Sequence, residues 1–172
     1  MSRAETFIPR PADGRRLRDA LGRFATGVTV VTARSAAGPV GITANSFASL
    51  SLDPPLVIWA PARASRRFAA FAGAGHFAVH VLAREQFALG RHFALQGTDF
   101  ALDGVDSNDE GVPLLPDCLA RFECRREAVH EGGDHALIIG RIERVSLRDG
   151  APLIFSAGHY GGFLPAGEGG AD

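Results

Sequence analysis

Two long runs, LARFECRREAVHE (119–131) and HALIIGRIERVSLR (135–148), flank Gly132-Gly133. Both read as long strands, and a glycine pair supplies the positive φ that a tight turn needs. Together they predict a long antiparallel hairpin. A hairpin of that length must bury one face against further strands, and candidates for these are VTVVTAR (28–34), VGITANSFASLS (40–51), LVIWA (56–60), HFAVHVLA (76–83) and PLIFSAGHYGGF (152–163). Asp53-Pro54-Pro55 interrupts the ladder between two of them.

Helices are few. Asp13 is placed to cap a helix whose apolar positions Leu17, Ala20, Leu21 and Phe24 follow helical spacing, with Gly27 as its stop. Ser65 is placed to cap a short helix, RRFAAFAGAG. REQFALGRHFAL (84–95) reads as a third, with Phe87 and the Leu89–Phe93 face inward. Residues 96–116, rich in Asp, Gly and Pro, are expected as a surface excursion. Adjacent strands with so few helices predict a mainly β protein, an antiparallel barrel with flanking helices rather than a doubly wound sheet. No GxGxxG follows a strand, which disfavours a dinucleotide-binding βαβ unit.

The 172 residues suit one domain. Residues 1–12 are expected as a flexible arm, 13–164 as the folded domain and 165–172 as a flexible tail. A net charge of −1 gives no electrostatic reason to expect nucleic acid or an anionic membrane as partner. All 18 basic residues are Arg, so no lysine is available for a Schiff base. No apolar stretch approaches the roughly 20 residues that span a bilayer. The N-terminus lacks a signal-peptide core, and the expected location is cytoplasmic. Cys118 and Cys124 are expected as reduced thiols: on one strand, six residues would hold them about 20 Å apart. No metal is expected, since His76 and His80 on a strand would stand about 13 Å apart, and HExxH and paired CxxC motifs are absent. The absence of GxSxG argues against a serine hydrolase.

Three stretches carry candidate chemistry. Thr43-Ala44-Asn45-Ser46, followed by Ser49 and Ser51, places small polar side chains between two apolar strand ends. Such a run is either an ordinary half-exposed strand or a place where a planar ligand approaches the backbone. A flavin ring has a matching edge of alternating donors and acceptors. ARASRR (62–67) offers Arg63, Ser65 and Arg66 at a helix start, either a solvated cap or a phosphate site. Asp134-His135 follows the tight turn, where the imidazole is either a surface residue or a contact for a nicotinamide cofactor or proton. Phe93 and Phe100 offer aromatic walls, with core packing the expected role of at least one.

Six segments in this order, RDALGRFATGVTVVTA, GITANSFASLSLDPPLVIW, ARASRRF, HFAVHVLA, GDHALIIGRI and PLIFSAGHYGGF, resemble the flavin reductase-like family, short NAD(P)H:flavin reductases of the FMN-binding split-barrel fold. The resemblance runs from about Leu17 to Phe163. It implies an antiparallel split barrel, a homodimer, and flavin contacts from Thr43, Ala44, Asn45, Ser46, Ser49 and Ser51. It further implies a phosphate approached by Arg63, Ser65 and Arg66, Phe100 at the cofactor, and Tyr160 and a catalytic His135 on the nicotinamide side. The implied reaction is hydride transfer from NADH or NADPH to FMN or FAD, with reduced flavin passed to a partner flavin-dependent monooxygenase. Alternatives on the same fold are an oxidase or nitro/quinone reductase that holds its flavin tightly, and a non-catalytic flavin-binding protein. The chain departs from the family where Asp99-Phe100 replaces Lys-Phe, where His80 replaces Asn, and where ARASRR carries fewer hydroxyls.

Overall fold

The computed structural model describes residues 4–166. The predicted hairpin is its longest feature: β9 (Ala120–Gly132) and β10 (His135–Leu147) pair antiparallel along thirteen residues each. The turn is one residue later than the glycine pair suggests. Gly132 still pairs with His135, leaving Gly133, at φ 71°, and Asp134 at the corner. Register shifts at Ile139/Gly140 and Ile142/Arg144 bend the ribbon. Gly140 is required there, since a Cβ would stand 2.4 Å from the Phe77 ring.

The other strands are β1 (Thr26–Gly27), β2 (Thr29–Ser35), β3 (Gly38–Ala44), β4 (Ala48–Leu52), β5 (Pro55–Trp59), β6 (His76–Val81), β7 (Asp106–Ser107), β8 (Pro113–Leu114), β11 (Leu153–Ser156) and β12 (His159–Gly162). The helices are α1 (Gly14–Leu21), α2 (Phe68–Gly73) and α3 (Phe87–Leu95). Seven strands form one antiparallel sheet in the order β3-β2-β6-β9-β10-β5-β4; β1, β11 and β12 form a second, and β7 and β8 pair separately. The protein is thus mainly β and antiparallel.

Strand periodicity explains the two cores. Along 28–33 alternate residues point to opposite faces. Val31 and Ala33 join Val40, Val57, Trp59, Phe71, Phe77, Val79 and Ile138 beneath α2. Val28 and Val30 join Leu82, Phe93, Leu115 and Leu153 beneath α3. The middle of β2 is therefore buried on both faces, which its unbroken TVVTA requires.

Several expectations change. The first helix ends at Gly22, not Gly27. The Gly22 carbonyl accepts the Ala157 N–H at 2.7 Å, which turns the chain into β1. The Asp13 carboxylate accepts the Arg10 N–H instead of capping the helix, and Leu21 and Phe24 remain 67% and 79% exposed. The short second helix starts at Phe68; Ser65 accepts the Arg67 N–H in the preceding turn and caps nothing. The last predicted strand is a hairpin, because Ala157 and Gly158 adopt positive φ. The surface excursion is partly core: Val112 and Leu115 are 1% exposed, and the Thr32 hydroxyl donates to the Pro113 carbonyl at 2.6 Å. Phe87 is likewise half outside, leaning on Tyr160. The proposed terminal arm and tail fall partly on residues 1–3 and 167–172, outside the described residues. Cys118 precedes β9 and Cys124 lies within it. Both are free thiols, pushed up to about 11 and about 12 by burial. No helix of the described residues is long and apolar enough to cross a membrane.

Candidate functional site

β3 ends at Ala44 and β4 begins at Ala48, so the backbone of 45–47 leaves both ladders. Two hydroxyls fix where it leaves. Thr29 donates to the Ala44 carbonyl at 2.7 Å, and Thr43 donates to the Gly90 carbonyl of α3 at 2.6 Å. The strand end is thereby tied to the helix beside it. Above it opens a cleft of about 160 Å³ lined by Val28, Thr43, Ala44, Asn45, Ala94, Phe155 and Tyr160. Its walls are small or aromatic. Phe155 and Tyr160 pair across β11 and β12 with ring centroids 5.1 Å apart. Asn45 is exposed, and its carboxamide has no hydrogen-bond partner among the described residues. A flat apolar ring with a polar edge suits such a cleft: alanines leave room for it, aromatics flank it, and one amide offers both a donor and an acceptor.

Of the predicted contacts, Thr43, Ala44, Asn45 and Tyr160 come together here. Ser46 faces the other way. Its hydroxyl donates to the Ala60 carbonyl at 3.1 Å and accepts the Ala60 N–H at 3.0 Å, clamping the loop to the end of β5. From Ala60 the chain runs to the β9–β10 turn: Ala62 bridges His135, and the Arg63 N–H donates to the Asp134 carbonyl at 2.9 Å. Ser46, Arg63 and His135 are thus linked through the segment 60–63. His135 Nδ1 lies 2.7 Å from Asp134 Oδ1, and this contact holds the Asp134 carboxyl below its usual range. Ring orientation follows, with Nε2 left available.

The arginines divide by role. Arg63 pairs with Glu131 and stands over the Phe68 ring at 5.3 Å. Arg66 is exposed without an ion-pair partner among the described residues. Arg67, which the sequence did not single out, carries the structural load. It donates to the carbonyls of Gly41 (2.9 Å), Phe93 (2.6 Å) and Ala94 (3.1 Å). Burial, then the charge of Arg66, lowers its pKa. A cation on the last carbonyls of α3 also opposes the negative end of the helix dipole. Ala94 of the cleft is thereby fixed from below. Nothing in RASRR marks one arginine from another; the contact exists only once α3 lies against β3. Val28, Ala94 and Phe155 were missed for the same reason.

Phe100 lies elsewhere, half-buried in the α3 core with its ring 5.0 Å from that of Phe93. Ser49 and Ser51 sit on β4, the edge of the large sheet, and Ser65 in the turn before α2. None of these three serines lines the cleft.

The family model described as flavin reductase like domain matches residues 21–163. The FMN reductase (NADH) SmoA of Agrobacterium fabrum is 52% identical over 163 residues, covering 95% of this chain and 94% of that protein. HsaB of Rhodococcus jostii, the reductase subunit of a flavin-dependent monooxygenase, is 43% identical over 157 residues, covering 89% and 80%. Among solved structures, the NADH:FAD oxidoreductase SgcE6 of Streptomyces globisporus matches with a TM-score of 0.85 at 34% identity, covering 94% of this chain and 99% of that one.

Proposed function

Because the chain belongs to the flavin reductase-like domain family, we propose that it is an NAD(P)H:flavin oxidoreductase supplying reduced FMN or FAD to a partner monooxygenase. The observation that carries this reading is the cleft where Thr43–Asn45 leaves the sheet against Phe155 and Tyr160. A bound flavin would supply an acceptor for the nicotinamide hydride. The chain's own part is positional. Ala44 and Ala94 admit the ring, and Asn45 reads its polar edge. Tyr160 and Phe155 exclude water from one side, and His135 orients the donor or holds a proton at Nε2.

Ser46, Ser49, Ser51, Arg63, Ser65 and Arg66 belong to the same proposed site, along the rim rather than inside the cleft. Arg66, which has no ion-pair partner among the described residues, is the cation of this segment for a phosphate, and Arg63 would first have to leave Glu131. Phe100 acts at one remove, by backing Phe93 and α3.

A single chain gives only part of the site. A cleft of about 160 Å³ is small beside the roughly 300–1,000 Å³ of ordinary ligand sites. Leu21, Phe24, Leu52 and Leu147 are 67%, 79%, 94% and 78% exposed, apolar side chains that a second copy would take out of water. A homodimer that covers those residues and completes the cleft explains both. The two larger sheets, joined through Val28 and Leu153, are on this reading the halves of a split barrel spanning residues 13–164. Cytoplasmic residence goes with it, since NAD(P)H and a partner oxygenase are used there.

Anaerobic mixing with NAD(P)H and excess free flavin is the test. Bleaching of many flavin equivalents is expected. Bleaching of one equivalent would replace this reading with a tightly held flavin acting as oxidase or nitro/quinone reductase. No bleaching, with yellow protein, would leave a flavin-binding protein without reductase activity.

A further inference from the structure

Arg67 belongs to two places at once. Its backbone N–H donates to the Ser65 hydroxyl at 3.2 Å and so helps close the 62–67 turn. That turn is held further by the Ser65 N–H on the Ala62 carbonyl at 3.0 Å and the Phe68 N–H on the Ser65 carbonyl at 2.9 Å. The Arg67 guanidinium meanwhile reaches the carbonyls of Gly41, Phe93 and Ala94. Gly41 lies two positions before Thr43 on β3, and Thr43 and Ala94 both line the first cleft. The Thr43 hydroxyl holds Gly90, one helical turn before Ala94. Two ties therefore set the spacing of β3 and α3, and with it the width of that cleft. Room for the guanidinium exists because residue 97 is glycine: a Cβ there would stand 2.4 Å from Arg67 Cδ. The Gly97 carbonyl also accepts the Gly41 N–H at 2.7 Å, which keeps the chain after α3 in place beside β3.

The charge balance at the turn is incomplete. Arg66, exposed and next along the chain, works against the Arg67 cation; its charge is the second cause, after burial, of the lowered Arg67 pKa. An anion on Arg66 removes that opposition and strengthens the hold of the neighbouring fork on its carbonyls. Resting on the proposed reductase function, we propose that Arg67 is a positioning residue that couples the two ends of a flavin: a phosphate held at the 62–67 turn tightens the Arg67 fork on α3, and α3 then holds Ala94 against the ring. Binding of a remote, unreactive phosphate is in this way used to align the reacting ring. FMN and FAD carry that phosphate, whereas riboflavin ends in a hydroxyl.

Fluorescence titration reads the coupling without turnover. Inorganic phosphate should tighten riboflavin binding to the wild type about fivefold, and riboflavin should tighten phosphate by the same factor. Arg67→Lys, whose ammonium cannot span three carbonyls, should reduce the effect below about twofold. Gly97→Ala displaces the same side chain without removing it and should act in the same direction, which keeps the test open if Arg67→Lys fails to fold. Wild-type riboflavin affinity indifferent to phosphate would overturn the proposal, as would a phosphate effect that Gly97→Ala keeps in full. The rate carries the same signature: in a single turnover at saturating NADH, the wild type should bleach FMN about fivefold faster than riboflavin, and the two rates should converge in Gly97→Ala. Equal wild-type rates for the two flavins would refute the positioning role. If neither flavin were bleached, the reductase reading would fail on its own, and the titrations would still decide the coupling.

Discussion

Lowering the pH should unfold this protein through one side chain, His80. It is 0% exposed on β6, and both ring nitrogens are committed. Nδ1–H donates to the Val30 carbonyl at 3.1 Å, and Nε2 accepts the Leu115 N–H at 3.1 Å. These partners fix the neutral tautomer: a proton on Nε2 would face an N–H donor in a fully buried site. Burial, chiefly, lowers the pKa from 6.5 to about 3; the Val30 hydrogen bond resists and Arg121 assists. Since the native state releases its proton more readily than the unfolded chain, the unfolded chain binds more protons between those two values. Stability is therefore complete above pH 6.5 and falls as the pH drops toward 3. One proton corresponds to about 1.4 kcal/mol per pH unit, or ~5 kcal/mol across the window, comparable to the whole stability of many domains. Urea unfolding at pH 7, 6, 5 and 4 measures the slope. The lowered carboxyl pKa values of Glu85, Glu127 and Asp134 add acid sensitivity of their own, so the comparison is with His80→Asn, which keeps a donor and an acceptor but cannot titrate. The wild type should lose about one proton's worth of slope more than the variant. Parallel slopes, or an NMR titration placing the native His80 near pH 6.5, would refute the reasoning.

Gly41→Ala places a Cβ 2.5 Å from the Phe93 ring; a loss of about 1–3 kcal/mol is expected, read as a lower thermal midpoint with weaker flavin binding as α3 shifts. Arg67→Met keeps much of the stem but removes three carbonyl partners, and should cost about 2 kcal/mol in denaturant unfolding; an unchanged midpoint would show the contacts to be idle. Asn45→Asp puts a negative charge at the mouth of the first cleft and should weaken flavin binding about tenfold by fluorescence titration. Equal affinity would move the ring's polar edge away from Asn45.

Strand periodicity was legible in the residues themselves. The alternation of Val28 and Val30 with Val31 and Ala33 already assigns two faces to one strand, and the glycine pair locates the long hairpin to within one residue. Those signals are local, because side chains two apart share a face whatever lies opposite. Of the small polar run at 43–46, Thr43, Ala44 and Asn45 line the cleft and Ser46 faces away from it. What decided the rest was contact between distant segments. Ser46 became a clamp because Ala60 lies beside it, fourteen positions on. Arg67 became the arginine that matters because α3 ends over it, and His80 became a neutral linker because Leu115 folds back across thirty-five positions. α1 shows the same limit from the other side: helical spacing marked Leu17, Ala20, Leu21 and Phe24 as one stripe, but the helix stops at Leu21, Phe24 lies beyond it, and both Leu21 and Phe24 stay exposed. A residue's type sets the bonds it is able to make; which partner satisfies them depends on the segment that tertiary folding brings within about 3 Å.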